Sequence, residues 1–170
     1  EPGDEIGIFD PTYSLYEVLG AIRDAKVVKF PLSREGYPDE TPFSFNGKLF
    51  IIASPNAPYG NMIPKEWTTR FLKTFKGLVL IDEAYADFAG ESWISEVRNF
   101  SNLLVCHTYS KSFSLAGIRF GYAIAQPEVM ECLYKLKDSY NVNMFTQWAA
   151  SEALEYMDAV MDNVRTICRT

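Results

Sequence analysis

Short apolar runs bounded by Gly, Pro and Asn alternate along this chain with stretches whose apolar residues recur at helical spacing. Chains that interleave strands and helices in this way build α/β folds with a mainly parallel sheet, and a strand that is apolar throughout, such as Leu78-Val79-Leu80-Ile81, must be covered on both faces. Ile6–Phe9, Val27–Phe30, Leu49–Ala53, Leu78–Asp82, Leu103–His107 and Phe120–Ala125 read as strands. The turn Pro11-Thr12-Tyr13-Ser14 carries hydroxyls that can cap a helix over Leu15–Asp24. Pro64 opens a helix that runs to Phe75, with Gly77 as its stop. A polar loop rich in Pro and Gly spans Ser33–Asn46, and Ser54-Pro55-Asn56-Ala57-Pro58-Tyr59-Gly60 breaks the chain again. From Pro127 the pattern is helical, interrupted at Asn141-Val142-Asn143, and Gln147–Arg169 reads as one long or broken helix.

With 170 residues, 48% of them hydrophobic and 15% aromatic, the chain can bury one substantial core. Sixteen basic and 22 acidic residues give a net charge of −6 with no long run of either sign, which argues against nucleic-acid and anionic-membrane partners. Cys106, Cys132 and Cys168 are odd in number and far apart, so neither a disulfide framework nor a zinc site is indicated, and a reducing, cytoplasmic setting fits best. The single histidine, His107, leaves schemes built on paired histidines or a Ser-His-Asp site poorly supplied; it reads as a packed strand-end residue. No apolar run approaches the roughly 20 residues of a membrane helix. The opening Glu1-Pro-Gly-Asp-Glu reads as a turn feeding an internal strand, so the segment is expected to belong to a larger protein.

Chemistry concentrates in two places. In Thr108-Tyr-Ser-Lys-Ser-Phe-Ser-Leu-Ala-Gly-Ile-Arg-Phe-Gly-Tyr122, Lys111 sits among small and hydroxyl residues, eight positions before Arg119. An amine that attacks carbonyls must spend part of its time unprotonated, and burial beside another cation is the usual means. Arg119 can supply that cation and can also hold a phosphate, with Thr108 and Ser110 as hydroxyl donors, although simple turn bonding serves equally for those two. The second place is Asp82-Glu83-Ala84-Tyr85, directly after the apolar run, where strand ends in α/β sheets bind ligands. Asp82 needs a cationic or hydrogen-bonding neighbour there. Capping of the next turn is the alternative role.

Together these segments resemble the fold-type I aminotransferases that use pyridoxal phosphate, and more narrowly the histidinol-phosphate aminotransferases, over nearly the whole chain. The resemblance implies the three-layer α/β/α large domain over residues 1–145, with 146–170 a helical segment leading toward a small domain. It implies that Lys111 forms the covalent link to the cofactor and serves as catalytic base. It further implies that Asp82 pairs with the pyridine nitrogen, Tyr85 bonds the ring oxygen, and Thr108, Ser110 and Arg119 hold the phosphate. Tyr13, in Pro-Thr-Tyr, matches the aromatic stacked on the ring. Where the family reads Asn-Pro-Asn-Asn-Pro-Thr-Gly, this chain has Ala57 before the second proline and Tyr59 for the threonine, so Asn56, one residue earlier, or Tyr85 alone is left to contact the ring oxygen. Tyr140-Asn141-Val142-Asn143 matches the histidinol-phosphate subfamily. The implied reaction is amino exchange between histidinol phosphate and a 2-oxo acid such as 2-oxoglutarate, in histidine biosynthesis, by a homodimer. Aromatic aminotransferases and threonine-phosphate decarboxylases share the lysine, aspartate and arginine. The family's glycine-rich phosphate loop and carboxylate-binding arginine fall outside Glu1–Thr170, which implies that the segment alone is catalytically incomplete.

Overall fold

A computed structural model describes residues 1–170. Six strands form one sheet: β1 (Glu5–Asp10), β2 (Lys26–Pro31), β3 (Leu49–Ala53), β4 (Leu78–Asp82), β5 (Leu103–Thr108) and β6 (Gly121–Ala125), in the order β2-β1-β3-β4-β5-β6. Every pairing is parallel except β5 with β6, where His107 faces Tyr122 across an antiparallel ladder. Apolar content identifies a strand but not its direction, so this reversal was not legible beforehand.

Strand alternation divides the side chains between two unequal layers. Phe9, Phe50, Ile52, Val79, Ile81, Leu103 and Val105 point to one face, where helix α2 (Lys65–Thr74) adds Trp67, Phe71 and Leu72. Each such side chain contributes about 1.5–3 kcal/mol when fully withdrawn from water. The opposite face carries a smaller cluster of Ile8, Tyr16, Ile51 and Ala53 beneath helix α1 (Leu15–Ile22).

The segment Ser33–Asn46, expected as a polar loop, contributes to the larger layer. Its 3-10 turn at Thr41–Ser44 sets Phe43 edge-on to Trp67 and Phe71, while Phe45 stacks on Phe75 with ring centroids 5.8 Å apart. Two aromatics among Pro, Gly and charge lack a periodicity, but their buried area still drives them inward.

Helix α1 ends at Ile22 rather than Asp24, because Asp24 turns into the left-handed region at φ 52°. Ser14 precedes α1 without a capping side-chain bond, and the Thr12 hydroxyl donates instead to Asn56. After β4 come the short helix α3 (Ala86–Ala89) and a 3-10 turn at Ile94–Asn99. Beyond β6 lie α4 (Pro127–Leu136), α5 (Met144–Leu154) and α6 (Met157–Ile167), so the last helical stretch is broken at Glu155-Tyr156. Asn143 is the N-cap of α5, its side chain accepting from the Thr146 amide at 3.0 Å, which explains why the Asn-rich stretch interrupts the helical pattern.

Candidate active site

The chain passes from β1 to β2 on one side and returns to β3 on the other, so the direction of winding reverses at β1. Loops leaving the C-terminal ends of β1, β3, β4 and β5 surround a cleft of about 370 Å³ along this edge. Ligand crevices of open α/β sheets form at such places. Tyr13, Asp82, Tyr85, Thr108, Ser110, Lys111 and Arg119 all line the cleft.

Asp82 ends β4, paired in register with Ala53 and Cys106. Alternation turns it toward the face under α1, where the Tyr16 hydroxyl donates to its Oδ2 at 2.6 Å and the Ala84 amide donates to its Oδ1 at 3.0 Å. The turn-capping role and the cleft role therefore coexist, one on each oxygen. Burial, then the Asp82 charge, pushes the Tyr16 phenol far above its ordinary range, so that hydroxyl keeps its proton. The same two causes push the Cys106 thiol up to about 11, which leaves it a neutral wall of the cleft.

Lys111 lies in the loop after β5, exposed, with its ammonium 5.0 Å from the centroid of the Tyr85 ring. Burial of this lysine, the usual means of tuning such an amine, is not supplied by these residues, because the loop sits at the open edge of the sheet. No carboxylate lies within salt-bridge distance of Lys111 or Arg119. Arg119 adopts the left-handed conformation at φ 55°, and its Nη1 donates to the Ala116 carbonyl at 3.0 Å. A non-glycine residue in that region carries strain of the kind concentrated at ligand sites. Thr108 accepts from the Ser110 amide at 3.1 Å and donates to the Ser110 hydroxyl at 3.0 Å, which brings both hydroxyls to one spot. Ser112, next to Lys111, donates to Asp87 of α3, anchoring the lysine loop to the segment that carries Tyr85.

Asn56 is not brought into the cleft. Its side chain is buried, Oδ1 accepting from Thr12 at 2.9 Å and Nδ2 donating to the Pro11 carbonyl at 3.0 Å, so both ends of the amide tie the loop after β3 to the loop after β1. Ala57 faces the cleft instead.

Two groups of the site went unread in the sequence. Tyr16 carried a usable signal, since it stands in the first turn of the helix that follows Tyr13 and a buried tyrosine needs a partner for its hydroxyl. The other is Glu83, whose Oε2 lies 2.5 Å from Nε2 of His107, the strand-end residue already read as packed. Glu83 is 1% exposed and also accepts from the Ser92 hydroxyl at 2.6 Å and the Trp93 amide at 2.5 Å. Its neighbour Asp82 follows the opposite face of the strand.

Comparison with known proteins settles the family. The pattern of aminotransferase classes I and II matches residues 1–169. The chain belongs to that family. This aminotransferase chain is 40% identical over all of its 170 residues to the histidinol-phosphate aminotransferase of Geotalea uraniireducens, 49% of whose length is covered. Among solved structures, the histidinol-phosphate aminotransferase of Clostridium acetobutylicum superposes with a TM-score of 0.89 at 30% identity, covering 95% of this chain and 51% of that one. The enzyme from Sinorhizobium meliloti, solved in complex with pyridoxal-5'-phosphate, gives a TM-score of 0.90 at 22% identity, covering 99% and 48%. The aminotransferase chain thus spans about half the length of the curated relatives it matches. None of its helices is long and apolar enough to cross a membrane.

Proposed function

We propose that this chain supplies the cofactor-binding core of a pyridoxal-phosphate-dependent transaminase acting on histidinol phosphate and a 2-oxo acid such as 2-oxoglutarate. The observation that carries the reading is the cleft itself. Two strand ends and their loops bring an amine and a guanidinium, both without carboxylate partners, together with a fixed carboxylate and paired hydroxyls. That donor set fits an aldehyde, a ring nitrogen and a phosphate on one small molecule.

When bound, pyridoxal phosphate supplies an electron sink for a carbanion developing on the amino substrate. The Asp82 carboxylate would accept from the ring N–H and favour its protonated state. Arg119 matches phosphate oxygens with a planar fork, and the Thr108 and Ser110 hydroxyls turn toward the same oxygens. The Tyr13 ring, half exposed at the rim, offers a face for stacking. Tyr85 offers its hydroxyl to the ring oxygen without help from Asn56. Lys111 Nζ would hold the cofactor through its aldehyde carbon, the carbonyl oxygen leaving as water, and as a free amine would accept and return the proton that the reaction moves.

Histidinol phosphate as the donor is supported by the 40% identity to an enzyme of that name and by the Tyr140–Asn143 match. A homodimer is supported by the exposed Phe145 and Trp148 on α5, apolar area that a second subunit would cover. A cytoplasmic setting is supported by three free cysteines. We further propose that residues 146–170 lead from the large domain toward a small one, since α5 docks through Thr146 onto the Ile118 carbonyl while most of its surface stays exposed.

The test is borohydride reduction of the protein mixed with pyridoxal phosphate, followed by peptide mass spectrometry. A pyridoxyl group on Lys111, absent in Lys111→Ala, is the expected outcome. Label on no lysine, or scattered over surface lysines, would remove the reading. Product analysis with histidinol phosphate, an aromatic amino acid and threonine phosphate as donors then fixes the reaction.

A further inference from the structure

We propose that Tyr16 is a positioning residue of this cleft, one that holds the Asp82 carboxylate in a single orientation and braces Tyr13 with the same ring. The inference rests on the cofactor reading above for what the carboxylate meets, and on geometry for the rest.

Tyr16 lies in the first turn of α1, 7% exposed, wedged against Ile8, Ile51 and Ala53 of the smaller layer. Its hydroxyl reaches Asp82 Oδ2 at 2.6 Å across 66 positions of sequence. Water has little access to that hydroxyl, so Asp82 is its one partner, and a hydrogen bond donated to a carboxylate is among the strong ones. The terminal torsion of aspartate is broad and would let the carboxylate swing. Two donors on different oxygens, Tyr16 on Oδ2 and the Ala84 amide on Oδ1, fix its plane. Asp82 lines the cleft, so the lone pairs left over are those a ring N–H would meet.

The Tyr16 ring does a second task. It meets the Tyr13 ring edge-on, with centroids 5.5 Å apart and planes at 88°. Tyr13 is itself 51% exposed and otherwise lightly held at the rim. One buried side chain thus sets the spacing between the carboxylate and the aromatic face, the two groups that would grip a pyridine ring from its edge and its plane. Tyr16 also lines the cleft, but its hydroxyl is committed to Asp82 and its ring edge to Tyr13, so its effect is transmitted through those two groups.

Tyr16→Phe separates the tasks, because it keeps the ring against Tyr13 and deletes only the donor to Asp82. The decisive measurement compares the dissociation constants of two probes, pyridoxal 5'-phosphate and its 1-deaza analogue, in which C–H replaces the ring nitrogen. The variant is expected to bind pyridoxal phosphate roughly tenfold more weakly, the effect of about one charge-assisted hydrogen bond, and the analogue within about twofold of the parent. Equal weakening of both probes, or no weakening of either, would overturn the inference. A second measurement needs no cofactor: melting temperatures of the parent, Tyr16→Phe, Asp82→Asn and the double variant. Coupled side chains give a double shift clearly smaller than the sum of the single shifts; additive shifts overturn the inference. Failure of the parent to take up label on Lys111 would instead overturn the cofactor reading, and the melting cycle alone would decide whether Tyr16 holds Asp82.

Discussion

Replacing Glu83 with leucine should cost this chain a large part of its stability, although the residue never faces the cleft. The carboxylate is 1% exposed and serves three donors: the Trp93 amide at 2.5 Å, the Ser92 hydroxyl at 2.6 Å and His107 Nε2 at 2.5 Å. A carboxylate can only accept, so Nε2 carries the proton in this arrangement. Leucine fills similar space and offers no acceptor. The Ser92 hydroxyl can rotate, but the Trp93 amide cannot, and His107 is pinned by stacking on Tyr122 with ring planes 7° apart. Two buried donors left without an acceptor, the Trp93 amide and the His107 Nε2–H, cost about 1–3 kcal/mol each, so the loss is roughly 4 kcal/mol. Against a typical total of about 5–15 kcal/mol this is severe. Urea unfolding followed by tryptophan fluorescence should show the midpoint falling by about 2 M at unchanged slope. Glu83→Gln keeps one acceptor for the Trp93 amide and should lose about half as much. A loss below about 1 kcal/mol for the leucine variant would refute the claim that these donors depend on Glu83.

Two further predictions concern packing and pH. A Cβ at Gly77 would stand 2.6 Å from the backbone carbonyl oxygens of Gly47 and Lys48, neither of which can move aside as a side chain does. Gly77→Ala should therefore destabilise by about 1–3 kcal/mol in urea titration, where a glycine replaced by alanine in open space would be neutral or stabilising. Stability should also fall in alkali, because Cys106 and Tyr16 both hold their protons more tightly in the folded state. Below pH 9.0, the unfolded thiol's value, their contribution is complete; it declines as pH rises toward 11 for Cys106, and continues to decline for Tyr16 above pH 10.0. The Cys106 part amounts to roughly 2–3 kcal/mol by pH 11. Urea midpoints taken across that range should decline for the parent and be flatter at the start for Cys106→Ala; identical profiles would exclude the thiol.

Much of the fold was legible because strands of this kind announce themselves. Leu78–Ile81 and Leu103–Cys106 are apolar on successive positions, and only burial on both faces accommodates that. The cleft was legible to the extent that its residues follow those strands directly, as Asp82 and Lys111 do. What resisted reading depended on distance in space rather than in sequence. Phe43 and Phe45 sit in a loop with no period, and only the gap beside Trp67 and Phe75 explains their burial. Asn56 has the composition of a ligand contact, yet the approach of Thr12 and the Pro11 carbonyl occupies its amide. Glu83 and His107 lie 24 positions apart and meet only because β4 and β5 are neighbours.

Adjacent carboxylates sent to opposite sides of one strand make the accuracy of β4 pairing a condition for chemistry as well as for folding. A slip of one residue would exchange the two environments, bringing Glu83 to the cleft and burying Asp82 where three donors await a longer side chain. The same slip would turn Val79 and Ile81 out of the larger layer. An error that spoils the reactive edge therefore also strips the molecule of its core.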